Sequence, residues 1–179
     1  KVGKGYKGFE FDTSKSVSLE QDLSRRDLTI NAIAQNKDGS GDYIDPFGGL
    51  DDIKKRRIKH VSEAFTEDPV RILRTARFAS YLNHFGFSID SGTLDLMKMM
   101  VNSGEVDALT PERVFKEINL SMNSQSPSIF FEVLMESGAY QRLFPMLEMT
   151  QTSNLKLLDQ QDLTSEVTFA LRLYDQKPS

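Results

Sequence analysis

Cysteine is absent from the 179 residues. That excludes a disulfide framework, a thiolate nucleophile and any cysteine-bound zinc or iron–sulfur centre, and it fits a reducing compartment. Histidine occurs only as His60 and His84, and neither stands at metal-ligand spacing from a partner. No apolar run approaches the roughly 20 residues that span a bilayer, and no signal-peptide pattern is visible. The expectation is a cytoplasmic protein without a membrane partner. G-x-S-x-G and Walker-type phosphate loops are lacking, and the glycine-rich opening GKGYKG has no helix signature after it. A strong charge of one sign is also missing, since the net charge is −4. The distribution is uneven: residues 1–80 hold 15 Lys+Arg against 13 Asp+Glu, and residues 81–179 hold 7 against 13. Bulk electrostatics therefore do not drive nonspecific nucleic-acid binding, although the N-terminal half can carry a local basic surface.

The chain divides into two zones of different character. Residues 1–17 are rich in Gly, Lys and Ser and read as loop. Ser18-Leu19-Glu20-Gln21 matches a capping box and opens a short helix through Arg26. LTINAIAQ and YIDPF, separated by the turn cluster NKDGSGD, predict a β-hairpin. LDDIKKRR is expected as a short polar helix and RIKHV as a last strand. From about residue 65 the period becomes helical and strand signals vanish. EDPVRILRTARFASYL carries Pro69 in its first turn and an apolar stripe of Ile72, Leu73, Ala76, Ala79 and Leu82. Further helices are expected over SGTLDLMKMMVN, ahead of Gly104, after Thr110-Pro111, after Ser126-Pro127, over AYQRLF, and over LTSEVTFALRLYD; residues 149–163 are polar and weakly patterned. The fold class is α+β: a small mixed zone over residues 1–62, a helix plus a β-hairpin, followed by an all-α zone over 63–179.

Five stretches carry chemistry. In SRRDLTINAIA, arginines at a helix end can clamp phosphate oxygens while Asp27 and Asn31 hydrogen-bond a ribose; on its own the stretch equally describes a solvated helix end. In DPFGGLDDI, Gly48-Gly49 reads more readily as a strand-to-helix turn than as a ligand approach. KKRRIKH is the densest basic run. It can face RNA phosphates, but a solvated helix tip explains it as well. In EDPVRILRTARFA, Asp68, Arg71 and Arg74 share a helix face, and Arg77 follows a turn later. An ion pair with basic decoration accounts for that pattern. A sharper reading rests on hydrogen-bond chemistry. A carboxylate only accepts and a guanidinium only donates. Cytosine and adenine present an exocyclic amine beside a ring-nitrogen acceptor, which Asp68 and Arg71 would match. Guanine and uracil present the reverse and would be refused, because unpaired buried polar groups reject strongly. TPERVFKEI adds Glu112, Arg113, Lys116 and Glu117 at a helix start, placed to brace the arginine helix or simply to form a solvated face.

RRDLTINAIA, DPFGGLDDI, EDPVRILRTARFA and LTPERVFKEI, in that order and spacing, resemble the class II tRNA nucleotidyltransferases, the CCA-adding enzymes, a pattern shared with bacterial poly(A) polymerases. The likeness covers roughly residues 3–147, and FFEVLMESGAYQRLFP looks closer to the CCA-adding branch. The resemblance implies transfer of CMP and AMP from CTP and ATP to a tRNA 3′ end. It implies that Arg26, Asp27 and Asn31 meet the nucleotide's sugar and phosphates, that Asp68 and Arg71 act as a protein template with Glu67 and Arg74 in support, and that Glu112, Arg113 and Glu117 stiffen the neck. Residues 1–62 would be the C-terminal part of the family's head domain and 63–179 its helical neck and body. The family's Mg2+ ions are held by upstream Gly-Gly…Arg-Asp and Asp-x-Asp motifs. Nothing in residues 1–27 supplies them, and the chain starts without methionine, so the expectation is a fragment that is inactive alone and has no metal ligands. Tyr174-Asp175 stands where some members begin a His-Asp metal domain, and no metal is expected there. An A-only polymerase of the superfamily and a noncatalytic nucleotide- or RNA-binding remnant are the alternatives.

Overall fold

The computed structural model describes residues 17–146 and 152–159, and the expected helix LTSEVTFALRLYD lies outside the described residues. Helix α1, Leu19–Ser24, starts at the capping box: Ser18 Oγ accepts from the Gln21 N–H and the Gln21 side chain accepts from the Ser18 N–H. Helix α2 is Gly49–Lys54, and strand β1 is Arg57–Ile58. Helix α3, Val70–Leu82, follows Pro69 and is the longest helix described. Strand β2, Ser88–Ile89, leads into helix α4, Ser91–Asn102, capped by Asp90. Helices α5, Pro111–Met122, and α6, Pro127–Glu136, each open with proline at the first position, where its missing N–H is no loss. Helix α7 is Ala139–Leu143, and a 3₁₀ run covers Thr152–Asp159.

The core forms where α3 packs on α5 and α6. Ile72, Leu73, Ala76 and Ala79 of the expected stripe are buried, against Phe130 and Leu134 of α6 and Ile118 of α5, and Leu82 is partly buried against the same cluster. Each fully buried large aliphatic or aromatic side chain contributes about 1.5–3 kcal/mol through removal of apolar surface from water. Asp159 finishes the bundle: its carboxylate accepts from the Ser128 N–H at 2.9 Å and the Ser128 hydroxyl at 2.8 Å, in the first turn of α6, where the Ser126 side chain makes no cap.

Two sequence expectations need correction. The hairpin shrinks to one antiparallel bridge, Ala34 with Ile44. The cause lies in Asp27, whose carboxylate accepts from the Leu28 N–H and the Asn31 side chain and folds the chain back, so Thr29–Asn31 coils as a 3₁₀ turn. Leu28 bridges His60 instead. Strand signals also do not end at residue 65, because β1 pairs in parallel with β2, Arg57 opposite Ser88 and Ile58 opposite Ile89. A two-residue strand is too short to leave a period in sequence.

The glycine pair of DPFGGLDDI is structural, as expected. Gly48 has φ +73° at the N-cap of α2, and a Cβ on Gly49 would run into the Thr29 carbonyl oxygen. Asp45 caps the helix by accepting from the Gly49 and Leu50 N–H groups at 2.7 and 2.8 Å. Asp52, only 2% exposed, accepts from Thr29 Oγ1 and Arg57 Nε, both at 2.7 Å. These bonds bind the bend at residues 27–31 to α2 and β1.

Candidate functional site

The three arginines of α3 each reach a different segment. Arg71 donates to the Ala64 carbonyl at 2.7 Å and the Arg25 carbonyl at 2.6 Å. Arg74 Nε donates to Asp27 Oδ2 at 2.6 Å, and Arg77 Nε to Glu117 Oε2 at 2.6 Å. The row seen in sequence therefore fastens the segment before α3, the 27–31 bend and α5. Asp68 stands just ahead of the helix. Its Oδ1 accepts from the Val70 N–H at 3.1 Å and its Oδ2 from Arg113 of α5 at 2.6 Å.

That arrangement does not contain the Asp68–Arg71 ion pair of the plainer sequence reading. The two side chains share a neighbourhood, but each takes other partners. The reason is tertiary: Asp68 lies in extended backbone, φ −134° and ψ 110°, so helical spacing does not govern its direction. Charged chemistry remains available, since Arg71 uses two of its five donors and a carboxylate has about four acceptor positions.

A cavity of about 560 Å³ opens here. Arg26, Asp27, Asn31, Asp68, Arg71 and Arg74 all line it, so segments separated by about 40 residues of chain converge on one surface. Arg25, Arg113, Val70 and Phe78 complete the wall. Sequence reasoning gave Arg113 a bracing role only, named Arg25 only among the helix-end arginines able to clamp phosphate, and missed Val70 and Phe78 as lining residues. Phe78 had a signal, being one helical turn beyond Arg74 on the same face. Five arginines against two aspartates make the wall cationic, which suits a polyphosphate.

Burial alone would raise the Asp27 carboxyl, but Arg74, Asn31 and the Leu28 N–H outweigh it and hold the group below the usual carboxylate range. Burial pulls the Arg71 guanidinium below its ordinary value, opposed by Asp27, Asp68 and Glu67. The other expected supporting residues lie around this wall. Glu67 is half-buried at the end of a 3₁₀ turn, Glu63–Glu67. Glu117, 6% exposed as a side chain, holds Arg77, and Arg113 holds Asp68. Glu112 is exposed in the first turn of α5, where its own N–H and the Thr110 hydroxyl keep its carboxyl low. The site's carboxylates fit a magnesium ion poorly: Asp27 and Asp68 each hold an arginine at 2.6 Å, and among the described residues no group of three or more His, Cys, Asp or Glu could hold a metal. Among the described residues no helix is long and apolar enough to cross a membrane.

Residues 4–59 match the family described as "Poly A polymerase head domain", and residues 86–150 match "Probable RNA and SrmB-binding site of polymerase A". A CCA-adding enzyme of Marinobacter nauticus is 53% identical over 147 residues, 82% of this chain and 39% of that protein. The Thermotoga maritima CCA-adding enzyme complexed with tRNA-CCA superposes with a TM-score of 0.69 at 31% identity, over 77% of this chain and 34% of that one. A CCA-adding enzyme with ATP gives the same TM-score and identity, over 77% and 33%. The chain thus spans about two-fifths of the length of the Marinobacter protein.

Proposed function

Because this chain belongs to the nucleotidyltransferase family of CCA-adding enzymes and poly(A) polymerases, we propose that its cavity selects C and A nucleotides for addition to a tRNA 3′ end. The observation that carries this is the convergence of Arg26, Asp27, Asn31, Asp68, Arg71 and Arg74 on one cationic wall. In this reading Arg26, with Arg25 beside it, receives the triphosphate, and Asn31, turned by Asp27, meets the ribose. Asp68 accepts the exocyclic amine and Arg71 donates to the ring nitrogen, through acceptor and donor positions their protein partners leave open. Arg74 keeps Asp27 ionised. Arg113 fixes the plane of the Asp68 carboxylate, Glu117 anchors Arg77 to α5, and Glu67 and Glu112 supply local negative charge. Residues 1–62 belong to the head and 63–179 to the neck and body, in a cytoplasmic enzyme that takes ATP, CTP and tRNA.

Magnesium would supply activation of the primer hydroxyl and stabilisation of the leaving pyrophosphate. The described donor set does not fit it, so no step is routed through it here. The 179 residues on their own are read as binding and selecting nucleotides without transferring them.

Calorimetry with the four nucleoside triphosphates tests the reading. CTP and ATP should bind at least about tenfold tighter than GTP and UTP, roughly 1.4 kcal/mol, and Asp68→Ala should erase the difference. Equal affinity of the unsubstituted chain for all four would overturn it. Incubation of the chain with magnesium, CTP, ATP and a tRNA lacking its 3′ triplet should give no extension. Growth by three nucleotides would show that the chain transfers as well as selects, and a long ladder with ATP alone would move it to the poly(A) branch.

A further inference from the structure

The basic run KKRRIKH takes no part in the cavity, and its surroundings give it a different use. Arg56 is exposed and has φ +53°, the only non-glycine residue with positive φ among those described. It occupies the position just past α2 where glycine ordinarily relaxes the chain, so the arginine there carries a backbone cost. Its guanidinium extends over Gly86: a Cβ on that glycine would lie 3.1 Å from Arg56 Nη1. The ladder fixes this neighbourhood, since the Ser88 N–H donates to the Arg56 carbonyl at 3.0 Å. Beside Gly86 stands an exposed aromatic pair. The His84 and Phe85 rings lie with centroids 3.7 Å apart at a tilt of 43°, and Phe85 is 56% exposed. Lys54, in the last turn of α2, is exposed as well and its charge reaches Asp51, whereas Arg56 forms no ion pair among the described residues.

We propose that Arg56 and Phe85 form a second RNA contact outside the cavity, taking an unpaired base on the Phe85 ring and the adjoining phosphate on Arg56. A large aromatic face next to a guanidinium is the pairing that single-stranded nucleic acid recognises: the base stacks without regard to its identity and the cation follows the backbone. Charge favours RNA over a protein partner, because the exposed Arg56 beside the Phe85 ring forms no ion pair among the described residues, unlike Lys55 and Arg57. The inference rests on the reading above that the substrate is RNA.

The test measures the affinity of the 179-residue chain for a tRNA transcript lacking its 3′ triplet, at about 50 and 200 mM salt. Phe85→Ala should weaken binding by about fivefold to a hundredfold, the range for one stacked base. Arg56→Gln and Arg56→Gly should both weaken it and lower the salt slope by about 0.7–0.9. Arg56→Gly should also raise the melting temperature, since glycine relaxes φ +53°. A merely structural Arg56 would not give stronger folding with weaker RNA binding. ATP affinity should not change in any of the three. RNA affinity within about twofold of the unsubstituted chain in all three, or ATP binding lost in parallel, would overturn the proposal. A chain that binds ATP and refuses RNA also overturns it and leaves base selection standing. A chain whose RNA binding drops as expected but which treats all four nucleotides alike sinks the selection reading alone.

Discussion

Replacing Asp27 by Asn tests the arrangement at its most enclosed point. The substitution keeps the shape and an oxygen acceptor for the Leu28 N–H, but it removes the charge that Arg74 answers at 2.6 Å. Breaking a buried ion pair from one side costs about 3–5 kcal/mol when the stranded charge stays buried. Here the stranded partner is the Arg74 side chain, 38% exposed, which can turn toward water, whereas the Asp27 side chain is only 6% exposed. The cost should therefore fall below that range, at about 2 kcal/mol, close to one charge-assisted hydrogen bond. Urea denaturation at neutral pH measures it as a lowered midpoint with an unchanged slope. The pH dependence has a definite sign. The folded-state pKa of Asp27 is lowered, so its contribution is fully present above the unfolded value of about 3.9 and is lost as pH falls through the folded value. Asp27→Asn should accordingly lose part of the acid-side slope of stability while sitting lower at neutral pH. A variant within about 0.5 kcal/mol of the parent, with the same acid limb, would refute the reasoning.

Three further substitutions probe the supports. Gly49→Ala should destabilise by about 1–3 kcal/mol through overpacking against backbone, because its Cβ meets the Thr29 carbonyl and lies 2.8 Å from Ile33. Gly48→Ala should cost less, about 1–2 kcal/mol of left-handed strain, since nothing stands within 4 Å of its Cβ; thermal melts would show the order, and a reversed order would contradict the packing account. Asp159→Ala should cost about 1 kcal/mol by leaving the Ser128 N–H and hydroxyl without their acceptor. Amide exchange should rise first in the opening turn of α6, and unchanged exchange there would sink the capping role.

The legible parts of the molecule are those in which a residue acts on its near neighbours. Ser18 with Gln21, and Pro111 and Pro127 at helix starts, work within one turn, so their geometry is written in spacing. The apolar stripe of α3 is legible for the same reason. What spacing could not show is where a long polar side chain goes. Asp68 turns to Arg113 across 45 residues, and Arg71 to the Arg25 carbonyl across 46. The expected hairpin failed because one carboxylate, Asp27, outcompeted strand pairing for the local donors. The short strand β2 exists only because β1 lies beside it. Arg113 joins the wall from α5 through tertiary placement, which no single stretch of sequence records.

Helix α3 runs between two strands that are hydrogen-bonded to each other, β1 before it and β2 after it. Its ends are thereby held at a fixed separation, and four hydrogen bonds from three guanidinium groups hold its sides. A helix that slips by one residue advances about 1.5 Å and turns about 100°, enough to carry Arg71 away from the Ala64 and Arg25 carbonyls and Arg74 away from Asp27. The closed crossover acts as an index pin: it sets the phase of the helix once, at folding, so that the side chains of α3 meet the wall in one fixed arrangement.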